Sequence, residues 1–225
     1  MSPGILKKRL AVQQRSVNVC SLMKSVKRQK VNRCSLTFEE IMKIVNDRND
    51  FREKGGYYEV KNGVLTLYHA GGPVTKYNQN KKVHRHGFKF DDTLAMDRNA
   101  KLWHSHPRSQ GWWPSLEDLH TTRNASHVIF TVYGIWVLKK MKPDTPLDIR
   151  KVNTVFEFLD YDLSNRTKKL LAASTANEFN GPFKCIVDTI QSLFIPKFKE
   201  CGIRVHFFPG TETLKRDITG HLSKY

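Results

Sequence analysis

The chemistry available to this chain is concentrated between Trp103 and Leu119, in the stretch W-H-S-H-P-R-S-Q-G-W-W-P-S-L-E-D-L. His104 and His106 stand two residues apart. In a β-strand that spacing puts both imidazoles on one face. Imidazole nitrogen is a good zinc ligand, and Asp118 can add a carboxylate oxygen. Two histidines and an aspartate make three protein ligands, with the fourth position left to water. That is the arrangement of a catalytic rather than a structural zinc. Zinc bound in this way lowers the pKa of its water to about 7, which makes hydroxide available at neutral pH.

Hydrolysis by such a centre needs two more groups: a proton acceptor that can pass its proton to a leaving amine, and a donor for the developing oxyanion. Ser115 lies three residues before Asp118, on the same side of a helix that starts there. Its hydroxyl is the candidate oxyanion donor. Glu53, just ahead of Gly55-Gly56, is the candidate general acid/base. Each residue also has an ordinary structural alternative. The histidines can be core residues, Asp118 a helix-start acid, Ser115 an N-cap and Glu53 a solvated loop acid.

The pattern H-x-H-P-x7-S-x2-D, here His104, His106, Pro107, Ser115 and Asp118, resembles the motif of the JAMM (MPN-plus, JAB-domain) zinc metalloproteases. The E-K-G-G at Glu53 to Gly56 resembles that family's upstream glutamate segment. The F-K-F-D-D run before W-H-S-H-P is similar to bacterial and viral-type JAB domains. The resemblance spans residues 36–140 and thins beyond them. It implies an α/β (α+β) fold, a mixed central β-sheet flanked by helices in the cytidine-deaminase-like JAB/MPN sandwich. It also implies one Zn2+ per chain on His104, His106 and Asp118, with Glu53 as acid/base and Ser115 on the oxyanion. The implied activity is hydrolysis of isopeptide or peptide bonds after the C-terminus of ubiquitin or a ubiquitin-like protein. Tyr57-Tyr58-Glu59 and Trp112-Trp113 depart from common members and leave substrate choice open. A DNA-repair-associated branch of the same superfamily supplies the alternative, a nucleic-acid-associated protein. A third reading is a non-catalytic interaction subunit, against which stands the complete ligand set.

The elements that must position these residues are partly readable. Thr37–Asp47 has Phe38, Ile41, Ile44 and Val45 at helical spacing, with Ser35 or Thr37 to cap it. Tyr57–Val60, the turn Lys61-Asn62-Gly63 and Val64–His69 read as a hairpin. Residues 76–87 are polar and basic and read as a surface loop, which holds a second His-x-His at His84 and His86. Residues 88–94 read as extended or as a short helix. Leu116–Asn124 reads as a helix begun by Pro114-Ser115. Val128–Leu138 is nearly continuous and apolar, as expected of one central strand. Residues 141–175 give no clean period. Phe183–Phe198 suits an amphipathic helix and Ile203–Phe208 a closing strand. Trp103 and Trp136 read as core. Trp112 and Trp113 are either core or a partner patch. His69, His120, His127, His206 and His221 are given no role.

Composition bounds the rest. The 225 residues are 39% apolar and 26% charged, which suits a globular core and rules out wholesale disorder. No apolar run approaches a membrane span, so a membrane partner is not expected. Cys20, Cys34, Cys185 and Cys201 are far apart, without a C-x-x-C pair, and read as buried free thiols in a reducing, cytoplasmic or nuclear compartment. The formal charge is +17, from 38 Lys+Arg against 21 Asp+Glu. Residues 1–38 hold nine basic residues and no acid, and so about half of that excess. This stretch is open to three readings: an arm for nucleic acid or another polyanion, a nuclear or mitochondrial targeting segment, or a solvated tail. The organisation expected is a basic segment at 1–34, a metalloprotease domain at 35–210 and a C-terminal tail at 211–225.

Overall fold

A computed structural model of the chain describes residues 35–47, 52–78, 83–97, 99–107, 111–121, 126–142, 144–210 and 214–224. The basic segment 1–34 lies outside the described residues. Seven strands form one mixed sheet: β1 (Ser35–Leu36), β2 (Gly55–Lys61), β3 (Val64–His69), β6 (Lys101–Ser105), β7 (Ser126–Thr131), β8 (Gly134–Lys140) and β9 (Ile203–Pro209). Their spatial order is β1-β3-β2-β6-β7-β8-β9. Only β6 and β7 run parallel, joined by a crossover containing α3 (Leu116–Thr121). A separate two-stranded ribbon pairs β4 (Gly72–Asn78) with β5 (Val83–Lys89), and the short α2 (Asp92–Met96) follows it before β6.

Both faces of the sheet are covered, so its central strands are apolar on both sides. Along β8, Ile135 and Val137 face one core, while Trp136 and Leu138 face the other. The first core is closed by α1 (Phe38–Asn46) through Ile41, Met42 and Val45, and by α7 (Leu214–Leu222) through Ile218 and Leu222. Over the second lie α4 (Ile149–Leu171), α5 (Ala176–Thr189), a π-helical turn (Ile190–Phe194) and α6 (Ile195–Glu200). The wide π turn runs straight into Pro196, whose missing N–H and bulky ring disturb a regular α-helical ladder.

Local chemistry accounts for the expected elements. Thr37 and Glu40 form a reciprocal capping box at the start of α1. Asn62 and Gly63 both adopt positive φ, at 51° and 73°, in the two-residue turn between β2 and β3.

The structure departs from the sequence reading, or completes it, at several points. The run Val128–Leu138 is two antiparallel strands, β7 and β8, turning at Val132-Tyr133. At Gly134 a Cβ would lie 2.4 Å from the Phe208 carbonyl oxygen, so glycine is what allows β8 to lie against β9. Much of the expected loop 76–87 belongs to the β4–β5 ribbon, with His84 and His86 on the β5 backbone. The region 141–175 contains the 23-residue α4, which buries Val152, Leu159, Leu163 and Leu170 along one stripe. The 211–225 tail carries α7, and its fully buried Ile218 and Leu222 extend the domain past residue 210. Of the thiols, Cys201 is buried but Cys185 is exposed. Among the described residues no helix is long and apolar enough to cross a membrane.

If α7 closes the core, Leu222→Ala should lower the unfolding free energy by about 2–4 kcal/mol. Chemical denaturation measures this, and a change within error of zero would return residues 211–225 to the status of a tail.

Candidate metal centre

His104 sits near the end of β6, and His106 lies just past it. The His106 backbone N–H donates to the Phe130 carbonyl at 2.8 Å, continuing the pairing with β7. On the other side β6 runs antiparallel to β2, with Gly55 opposite His104. The register continues one pair further: the Ser105 N–H donates to the Lys54 carbonyl at 2.7 Å. Glu53 is therefore set opposite His106, on the face that carries both imidazoles. All three side chains are buried, Glu53 at 7% exposure, His104 at 3% and His106 at 4%.

The Gly55-Gly56 pair allows this approach. A Cβ on Gly55 would lie 2.7 Å from the Trp103 carbonyl oxygen and 2.9 Å from the His104 Cβ. On Gly56 it would lie 1.9 Å from the Tyr68 carbonyl oxygen. The glycines beside Glu53 are thus a packing requirement of the strand that delivers it.

Asp118 arrives from the crossover. Its Oδ2 accepts from the Ser115 backbone N–H and from the Ser115 hydroxyl, both at 2.7 Å, while the Asp118 N–H donates back to Ser115 Oγ at 3.1 Å. Ser115 is thus both the N-cap of α3 and the clamp on the Asp118 carboxylate. The hydroxyl has a single proton, and here it points at Asp118.

Donor atoms of three residues converge. His104 Nε2 and His106 Nε2 are 3.0 Å apart. Asp118 Oδ1 is 3.4 Å from His104 Nε2, and Oδ2 is 3.4 Å from His106 Nε2. Ligands placed about 2.0–2.1 Å from a tetrahedral zinc stand roughly 3.3–3.4 Å from one another. The separations of 3.0 and 3.4 Å are therefore close to those within a metal's ligand set. The donor chemistry also fits. His106 Nδ1 lies 2.8 Å from the Gly111 carbonyl, which can only accept. That contact places a proton on Nδ1 and turns Nε2 toward the site.

Electrostatics favour a cation here. Burial would raise the Asp118 carboxyl, but the adjacent imidazoles hold it well below the usual carboxylate range. Burial pushes His104 well below its ordinary value, so it is neutral. Burial also pushes on His106, but Asp118, Glu53 and the Gly111 carbonyl together outweigh it and raise its pKa. Of these imidazoles His106 is therefore the one whose protonated form the surroundings favour.

His127, on β7, is the residue that sequence reasoning missed. Its Nε2 lies 2.8 Å from His104 Nδ1. Burial pushes it down to about 4, so it too is a neutral imidazole. His104, Asp118 and His127 offer donor atoms that all lie within 4.8 Å of one another. Its sequence neighbours Ser126 and Val128 carry no motif, so only a histidine opening an apolar strand hinted at it. Phe90 packs edge-on against His104 and His127, with centroids at 6.3 and 5.7 Å, and dries that wall.

The tryptophan loop is core. The Trp112 indole N–H donates to Thr167 Oγ1 at 2.8 Å and that of Trp113 to Asp160 Oδ1 at 2.9 Å, both on α4. The Trp136 N–H donates to the Trp112 carbonyl at 2.8 Å. The loop that carries Gly111 is thereby pinned between sheet and helix. A cleft of about 360 Å³ lies elsewhere, between Tyr57–Lys61 of β2 and the segment that leads into β6. It carries none of the five expected site residues.

The fold is thus a three-layer α/β sandwich with a buried His-His-Asp cluster at the end of a parallel strand pair. Comparison with known protein families, with curated proteins and with solved structures finds no match to this chain.

A ligand nitrogen must be deprotonated to bind metal. Because the His106 pKa is raised, protons compete with metal through neutrality. Zinc affinity should therefore rise by about tenfold per pH unit while His106 is titrating and level off above its pKa. Calorimetric titrations across pH 6 to 8.5 (about the range where histidine titrates) measure this, and a flat profile would remove His106 from the ligand set.

Proposed function

We propose that this chain is a zinc-dependent hydrolase of the JAMM type. The bond cleaved is an isopeptide or peptide bond that follows the C-terminus of ubiquitin or a ubiquitin-like protein. The observation that carries the reading is the convergence of His104, His106 and Asp118, with Glu53 brought to the same face by the β2–β6 register. Zinc bound there would supply a water of lowered pKa and Lewis-acid polarisation of the carbonyl.

The chain's own residues supply the remaining steps. Glu53 accepts the proton released by the attacking water and returns it to the leaving lysine amine. Asp118 and the two imidazoles fix the position of attack. Ser115 orients Asp118 in the resting site. To act as the oxyanion donor its hydroxyl turns from Asp118 toward the substrate, and the N–H at 2.7 Å keeps the carboxylate in place meanwhile. Phe90 and the buried loop keep bulk water out, which strengthens each charge interaction at the site.

The purified chain should hold about one zinc, lost in the His104→Ala/His106→Ala double variant. Glu53→Gln should keep the zinc and lose activity on a ubiquitin-like glycine–lysine conjugate by about 100-fold or more. Elemental analysis and a conjugate-cleavage assay measure the two. A wild type that stays metal-free when zinc is supplied would end the hydrolase reading.

The second reading, a nucleic-acid-associated protein, rests on the nine basic residues and no acids of residues 1–38. It requires DNA binding whose affinity falls steeply with salt, by about 0.7–0.9 log unit per log unit of salt for each phosphate neutralised. Fluorescence anisotropy at several salt concentrations decides it.

A further inference from the structure

We propose that His127 is the positioning residue of this centre: it holds the ring proton of His104 on Nδ1 and so leaves Nε2 bare for the metal. The inference rests on the metal reading above and adds a residue to it.

An imidazole can ligate through Nε2 only if that nitrogen carries no proton. The neutral ring must then carry its proton on Nδ1, and a buried N–H needs an acceptor. His106 meets this demand with the Gly111 carbonyl at 2.8 Å. His104 has no carbonyl in that role; the atom 2.8 Å from its Nδ1 is His127 Nε2. To accept there, a neutral His127 must carry its own proton on Nδ1. That nitrogen is buried and has no hydrogen-bond partner among the described residues. A buried ring nitrogen without a partner calls for an explanation. The tautomer supplies one. If His127 donated instead, the His104 proton would move to Nε2, between His106 Nε2 and Asp118 Oδ1, where it would block the ligand position.

Strand register separates this role from ligation. In the parallel β6–β7 pair, His127 lies beside Leu102, and His104 lies beside Ile129. His127 therefore stands two pairs before His104, on the same face and away from the strand end where His106 and Asp118 converge. Its Nε2 meets the side of the His104 ring that faces away from them.

The test uses the full chain with Co2+ and Zn2+, comparing wild type, H127L, which removes the acceptor, and H127Q, whose amide oxygen can replace it. H127L should bind both metals about 10–100-fold more weakly, and H127Q should recover most of that loss. The ligand-field spectrum of bound Co2+ should keep its wavelength and intensity in both, because the ligands are unchanged. His104→Gln serves as the reference for loss of a true ligand. Three results overturn the proposal: H127L binding as tightly as wild type, a Co2+ spectrum altered in both variants as in His104→Gln, or an H127Q loss as large as that of His104→Gln. Melting of the metal-free proteins shows whether H127L keeps the fold; if it does not, H127Q alone decides. A wild type that binds neither metal overturns the centre itself, an outcome distinct from the other three.

Discussion

A carboxylate buried against two imidazole nitrogens sets the terms for this whole region. Asp118 is 9% exposed, and its charge cannot be left unpaired at that depth. Two Ser115 donors meet part of the demand, and a positive charge must meet the rest. The raised pKa of His106 favours a proton there, and in the proposed reading a divalent ion would take that place. The cluster is therefore an environment that favours a positive charge. What makes it suited to a metal is that hydrogen bonds on the outer side of each ring turn both Nε2 atoms inward.

Several elements exist to make that convergence affordable in packing terms. The two glycines after Glu53 let β2 lie close against Trp103, His104 and Tyr68, where any side chain would collide. The strand can then place an acid at the level of His106. On the far side, α4 anchors Trp112 and Trp113 by their indole N–H groups, so the short loop ending at Pro114 has one path. Gly111 is thereby held where its carbonyl can fix the His106 ring. The largest apolar side chains of the loop thus act at a distance, through a single backbone oxygen.

Much of this was legible in the residues, for a physical reason. His104, His106, Ser115 and Asp118 are close in sequence, and two simple periodicities, of strand and helix, bring them to one face. Glu53 was legible because Gly55-Gly56 marks a close backbone approach. The hairpin at Asn62-Gly63 and the capped α1 carry their signals locally. The missed parts depend on distant partners. One apolar run became two strands because Gly134 tolerates the Phe208 carbonyl, contributed from 74 residues later in the chain. The long α4 has a polar surface broken by few apolar positions, and its stripe is apparent only once Leu159 and Leu163 meet the sheet. The C-terminal α7 was hidden because its two buried anchors, Ile218 and Leu222, need α1 to face them.

His127 is the most instructive omission, because nothing around it in sequence resembles a motif. Its importance comes from the parallel pairing of β6 with β7, which sets it two pairs before His104 on the same face. A parallel neighbour offers a strand-end ligand no side chain directly beyond it, only one slightly behind. From behind, the reachable atom of His104 is Nδ1, and so the contact can govern the ring's proton without competing for the ion. Among the described residues the far nitrogen of His127 is left unpaired, which is the local cost. A carbonyl could have served the same function, as Gly111 does for His106. A β7 carbonyl, however, is committed to the sheet ladder and points along it rather than out of the face. A side chain on that face has to do the work. A histidine reaches far enough and, unlike an aspartate, adds no second negative charge beside Asp118.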